Sequence, residues 1–126
     1  MIEEANQIRE LVDGLQTASV RCFMRYPETE PTGSFAVLSI TSCIPEAVDA
    51  YGTEYITTID YNLHLYIEGS RWDALEVVEE LSALLSAYRI RRLGVSDAYS
   101  DSQRRVHMVM ALSETIDERG ITYMER

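Results

Sequence analysis

The chain of 126 residues contains no lysine; all eleven of its basic residues are arginine. Chemistry that begins with a lysine amine, such as Schiff-base formation or the phosphate-cradling lysine of a P-loop, is therefore excluded. Cysteine is scarce as well. Cys22 and Cys43 form no CxxC pair and have no histidine nearby, which removes the usual grounds for a zinc site. Both fall in strand-like segments and read as buried free thiols, with a cross-strand disulfide as the alternative. No apolar run approaches the roughly 20 residues of a membrane span, and Met1 leads into Glu3 and Glu4 instead of a basic leader, so the expectation is a cytosolic chain with no membrane partner. No G-x-S-x-G elbow, G-x-x-x-x-G-K-[ST] loop or G-x-G-x-x-G turn occurs. Positive charge is short overall: the formal net charge is −10. A surface of that sign repels phosphates, since sequence-independent affinity for nucleic acid comes from cations.

What the chain does have is a long stretch from Glu54 to Tyr88. Tyr55, Thr57, Ile59, Tyr61, Leu63, Leu65 and Ile67 alternate with Thr58, Asp60, Asn62, His64, Tyr66 and Glu68, the period of a half-buried strand. At Gly69 the period changes. Ser70-Arg71-Trp72-Asp73 offers a capping box, and Trp72, Leu75, Val78, Leu81, Leu85 and Tyr88 follow at spacings of three and four, with Leu84 widening the stripe. A helix with one face on a sheet is predicted. A continuous strand from Glu54 to Ile67 reaches roughly 45 Å, against about 35 Å for a compact domain of this size. Part of the strand is therefore expected to project with unpaired backbone, which invites another chain.

Ile2, Ala5, Ile8, Val12 and Leu15 trace one face of an N-terminal helix stopped near Gly14. Val20, Cys22 and Met24 alternate with Arg21, Phe23 and Arg25 in a short strand ending at Pro27. Pro27 to Ser34, broken by two prolines, reads as an exposed hairpin loop, and Phe35 to Cys43 as the next strand. Ile44 to Thr53 has no clean period and reads as a loop. Arg89 to Val95 and Arg105 to Leu112 make two more strands around a polar connection, and the tail beyond Glu114 is mostly polar. The order α-β-β-β-α-β-β predicts one α+β domain over residues 1–126, a mainly antiparallel sheet with two helices packed on one face.

Candidate chemistry is thin. His64, with Asp60, Asn62 and Tyr66 on the same strand face, is the most site-like group, because an imidazole near a carboxylate can act as a general base. The spacing is equally that of any polar strand face, and a solvated or subunit-facing surface is the preferred reading. His107, between Val106 and Met108, reads as structural. Arg89, Arg91, Arg92, Arg104 and Arg105 gather at the last two strands; they make either a solvated patch balancing the chain's own carboxylates or a subunit contact. The candidate interface is thus Asp60, Asn62, His64, Tyr66, Arg91, Arg92, Arg104 and Arg105. No catalytic, cofactor or metal residues are assigned, and the chain is not expected to be an enzyme.

The N-terminal helix, the strand Phe35 to Cys43, the long alternating strand running through Glu68-Gly69-Ser70 into Trp72 to Tyr88, and the last strand pair together resemble the tail-terminator proteins of long-tailed bacteriophages, also called tail-completion or head–tail joining proteins. The resemblance is one of order and length over nearly the whole chain. It implies a structural protein of the virion, from a phage or a prophage, that assembles in the host cytoplasm into a ring, typically a hexamer, at the head-proximal end of the tail. Its partners are then a second copy of itself, the major tail tube protein and a head-completion or connector protein. DNA passes through such a ring without sequence-specific binding. The alternative from the residues alone is a small α+β ligand-binding or regulatory domain, monomeric or dimeric, that uses the polar strand face.

Overall fold

The computed structural model describes residues 2–29, 31–47, 55–96, 99–100, 105–117 and 122–123 of the chain. Helix α1 (Ile2–Asp13) opens it, turning Ala5, Ile8 and Val12 inward at the three-and-four spacing seen in the sequence. Strand β1 (Val20–Phe23) follows, then β2 (Ser34–Ala47) and β3 (Tyr55–Glu68). Helix α2 (Arg71–Ala87) leads to β4 (Arg91–Val95), the two-residue β5 (Tyr99–Ser100), β6 (Arg105–Asp117) and the two-residue β7 (Thr122–Tyr123). The sheet runs β1-β2-β3-β6-β4, with β5 and β7 both pairing with β6. The fold is α+β, mainly antiparallel, with the long elements in the order α-β-β-β-α-β-β and both helices on one face.

Alternation decides which face is which. Ile59, Tyr61, Leu63, Leu65 and Ile67 of β3 share a core with Ala36 and Leu38 of β2 and with Val106, Met108, Met110 and Leu112 of β6. Onto this face α1 lays Ala5, Ile8 and Val12, and α2 lays Ala74, Val77, Val78, Leu81 and Leu85. The start of α2 is fixed by local chemistry. Ser70 Oγ accepts from the Asp73 amide while an Asp73 carboxylate oxygen accepts from the Ser70 amide at 2.7 Å, closing the predicted capping box. Gly69 precedes it with φ of 123°, and a Cβ there would run into the Asp73 carboxylate.

The structure departs from the expectations at four places. First, β3 is not an unpaired projection: it pairs with β2 from Tyr55 to Tyr66 and with β6 from Ile56 to Glu68. Its partners are as long as it is, so length alone does not expose backbone. The open edge belongs to β2 instead, because β1 pairs only with Ser34–Val37. Second, β1 and β2 run parallel, so the two strands are not the arms of a hairpin. Gly33, at φ of 77°, turns the chain back into β2. Third, β2 continues past Cys43 to Ala47 opposite Tyr55, with Pro45 paired to Thr57, and β6 continues past Leu112 to Asp117. The segment expected to be a loop is therefore strand up to Ala47, and residues 48–54 lie outside those described. Fourth, Trp72 is 74% exposed and Tyr88 is also exposed, so neither belongs to the buried stripe of α2. Ala74 and Val77, smaller and one step round the helix, take that place.

Candidate functional site

The sheet face away from the helices carries six of the eight expected interface residues, four of them on β3 with Arg91 and Arg105 on β4 and β6. Asp60, Asn62, His64 and Tyr66 stand there along β3, each part-buried. Asp60 accepts a hydrogen bond from Ser42 Oγ at 2.9 Å, and the Asn62 carbonyl accepts one from Ser39 Oγ at 3.4 Å. His64 Nδ1 lies 3.1 Å from His107 Nε2 on β6. Their ring centroids are 5.4 Å apart, so the two nitrogens meet nearly head-on, one donating and the other accepting. The pair keeps that bond only while at least one of the two facing nitrogens is unprotonated. Tyr66 stacks on His107 at 4.3 Å and on Phe35 at 4.6 Å. Tyr26 closes edge-on against both Phe35 and Tyr66. A row of rings thus crosses β2, β3 and β6.

Both groups that a general-base reading would pair already have partners within the sheet. Asp60 is engaged by Ser42, four residues along the strand from His64, and the His64 nitrogen nearest the sheet is committed to His107. Among the described residues no three His, Cys, Asp or Glu side chains come together as a metal site. Phe35, Tyr26 and His107 were not among the expected site residues. Only pairing across strands brings them to Tyr66, and a one-strand reading has no access to that register.

The arginines separate into two groups. Arg105 is 6% exposed and lies across the ring row on the open face, its guanidinium 5.1 Å from the Phe35 centroid. It donates from Nε to the Gly33 carbonyl at 2.9 Å and from Nη2 to the Pro31 carbonyl. It therefore fastens the 31–33 segment to the sheet and is not a contact for a neighbour. Arg91 and Arg92 are exposed on β4, the sheet's other edge. Register places Arg91, opposite Ser113, on the open face, in the same cross-strand row as Asp60. Arg92 lies on the helix side, donating to Ser82 Oγ at 3.0 Å. Arg104 lies outside the described residues. Between Arg92 and Gly94 the ladder slips by one residue, and Leu93, at that bulge, is 54% exposed.

A groove of about 540 Å³ opens beside α2, lined by Thr17, Trp72, Leu75, Glu76 and Glu79. Its wall is held by Glu80, which accepts from the amides of Gln16 and Thr17, each at 2.8 Å. These bonds, with that to the Thr17 side chain the largest influence, hold the Glu80 carboxyl below its ordinary range.

Two titratable groups are buried in the helix-covered core. Tyr61 donates to Glu114 Oε1 at 2.6 Å. Burial is the main reason that both are displaced upward, the Tyr61 hydroxyl and the Glu114 carboxyl alike. Cys22 and Cys43 are both free. Cys22 is buried, and burial pushes its thiol up to about 12, so it is no nucleophile at neutral pH. Cys43 is exposed, against the expectation that both would be buried.

No family model matches the chain, and no curated protein matches it in sequence. A solved protein structure aligns over 99% of this chain and 95% of its own length, with a TM-score of 0.50 at 16% identity. At that identity the likeness shows the fold alone.

Proposed function

We propose that the chain is a structural assembly protein of a phage or prophage tail, a subunit that closes into a ring on the head-proximal end of the tail tube and stops its growth. The observation that carries the reading is the outer edge of β2. From Leu38 to Ala47 it has no strand partner among the described residues, and its exposed side chains include Ile40 and Ile44, the latter at 61%. Unpaired donors and acceptors beside solvent-exposed isoleucines are what a chain buries when another copy or a partner covers it.

A tube of stacked rings grows by a head-to-tail contact that does not close by itself. A ring that binds the growing end without offering it again is a cap. In this reading the other faces meet the major tail tube protein and a head-completion or connector protein, and assembly takes place in the host cytoplasm. A net charge of −10 suits a ring through which DNA moves without being held, because phosphates find few cations. No reaction is assigned.

Size-exclusion chromatography with light scattering counts the subunits, negative-stain images show whether a hole exists, and addition to isolated tail tubes tests capping. The expected result is a ring, alone or on the tube, and tubes that no longer elongate. A protein that stays monomeric at high concentration and does not bind tubes overturns the reading.

A further inference from the structure

We infer that the groove beside α2 is the socket for the β4 edge of a second copy of this chain, with Leu93 entering between Trp72 and Leu75 while Arg91 and Arg92 meet Glu76 and Glu79. The inference rests on the ring reading and names the surfaces that would build it.

The two surfaces are complementary in both of their properties. The groove is lined by two apolar side chains, Trp72 and Leu75, by two carboxylates, Glu76 and Glu79, and by Thr17. Trp72 is the chain's only tryptophan and is left almost bare on the first turn of α2. Tryptophan and arginine dominate the energetics of protein contacts, and an indole face beside carboxylates favours a guanidinium through both cation–π and charge-assisted hydrogen bonds. The β4 edge is the converse shape. Its bulge leaves Leu93 out of the ladder, directly after an arginine on the open face and one on the helix side. Bulges re-aim a side chain and interrupt pairing, so this edge presents an exposed apolar residue next to two cations and no flat strand. In a chain with 21 acidic and 11 basic residues, the β4 edge sets two exposed arginines directly before a solvent-exposed leucine.

Socket and plug share no residue, so one molecule can use both at once. A plug in the next molecule's socket leaves a free plug at one end and a free socket at the other, which is a heterologous contact and closes only as a ring.

Charge exchange tests this. Two doubly substituted proteins are made, Glu76→Arg with Glu79→Arg, and Arg91→Glu with Arg92→Glu. Each alone sets like charges against one another at every contact, and is expected to stay monomeric where the unmodified protein forms rings, with an unchanged melting transition. Mixed in equal amounts they regain complementary contacts and are expected to form rings in which the two alternate. Trp72 fluorescence supplies a second readout, moving to shorter wavelength as rings form. Should a charge-exchanged protein melt early, Leu93→Ser, which alters no charge, is expected to lose rings at unchanged melting. Rings from either doubly substituted protein alone, rings from Leu93→Ser, a folded mixture that stays monomeric, or tryptophan emission that does not move on assembly overturns the contact and leaves the ring reading intact. An unmodified protein that never forms rings, even on tail tubes, overturns both.

Discussion

Leu63 and Leu65 lie beneath two helices, in one cluster with Val77 and Leu81. Phe35, on the other side of the same sheet, is just as inaccessible, at 0% exposure, yet among the described residues no helix lies over it. Its cover consists of Tyr66 stacked flat, Phe23 and Tyr26 edge-on, and the Arg105 guanidinium. The first face is buried by a separate layer of aliphatic groups, whose contribution scales with area and depends little on direction. The second covers itself. It relies on large flat groups of neighbouring strands meeting in particular orientations, and it keeps polar edges at the surface. A sheet can therefore leave one side free for contact without leaving it bare.

The comparison breaks most completely at Leu81. Leu81→Asp places an unpaired carboxylate in the aliphatic layer, at a cost of several kcal/mol against a total stability on the order of 5–15 kcal/mol. No soluble folded protein is expected, and circular dichroism of whatever is recovered checks it. Melting like that of the parent would mean that α2 does not cover this face.

A smaller loss is expected on the self-covering side. Arg105→Met keeps an apolar stem over Phe35 but deletes the bonds to the Pro31 and Gly33 carbonyls, with about 1.5–3 kcal/mol lost in urea unfolding. Tyr66→Leu removes two stacked pairs while retaining apolar bulk, for about 1–2 kcal/mol. A double-mutant cycle with Phe35→Leu should return a coupling of roughly 0.5–1.5 kcal/mol. Strict additivity would show that the rings cover the sheet independently and would remove the contrast drawn above.

The least conspicuous effect is one of sign. Burial raises the Glu114 carboxyl above its ordinary value of 4.5, so the folded chain keeps this proton over a range in which the unfolded chain releases it. The stability tied to this group is full below pH 4.5 and falls as the pH rises toward the raised value. Glu114→Gln removes that slope. Measured from pH 4.5 to 7, its melting temperature is expected to gain steadily on that of the parent. A difference constant with pH would mean that Glu114 carries no buried charge.

Features written in neighbouring residues were legible in the sequence. The alternation of β3, the Ser70–Asp73 capping box, the inward face of α1 and the α+β order depend on two to four residues at a time, and the structure has them. What was not legible depends on who lies beside whom. The parallel course of β1 and β2 is tied to the approach into β2, where Arg105 holds the Pro31 and Gly33 carbonyls, the latter from 72 residues away. The ring row needs the register of three strands. Trp72 illustrates a different limit: its spacing fits a stripe with Leu75, but Ala74 and Val77 define an equally regular stripe one step round, and their small size hid it. Of the eight expected interface residues, Asp60, Asn62, His64, Tyr66 and Arg91 share the open face and Arg92 lies on the helix side of the exposed β4 edge, while Arg105 is buried over Phe35 on the open face and Arg104 lies outside the described residues.

The double pairing of β3 has a consequence in time. Its first partner, β2, precedes it in the chain, but its second, β6, ends at Asp117. Roughly fifty residues must follow Glu68 before β6 is complete, which at the pace of translation is about 2–10 s. During that interval the central strand is itself an edge, with Leu63 and Leu65 on one side of it and α2 unable to rest on a finished sheet. The newborn chain must pass through a state more adhesive than the protein it becomes, and slower synthesis between Glu68 and Asp117 prolongs it.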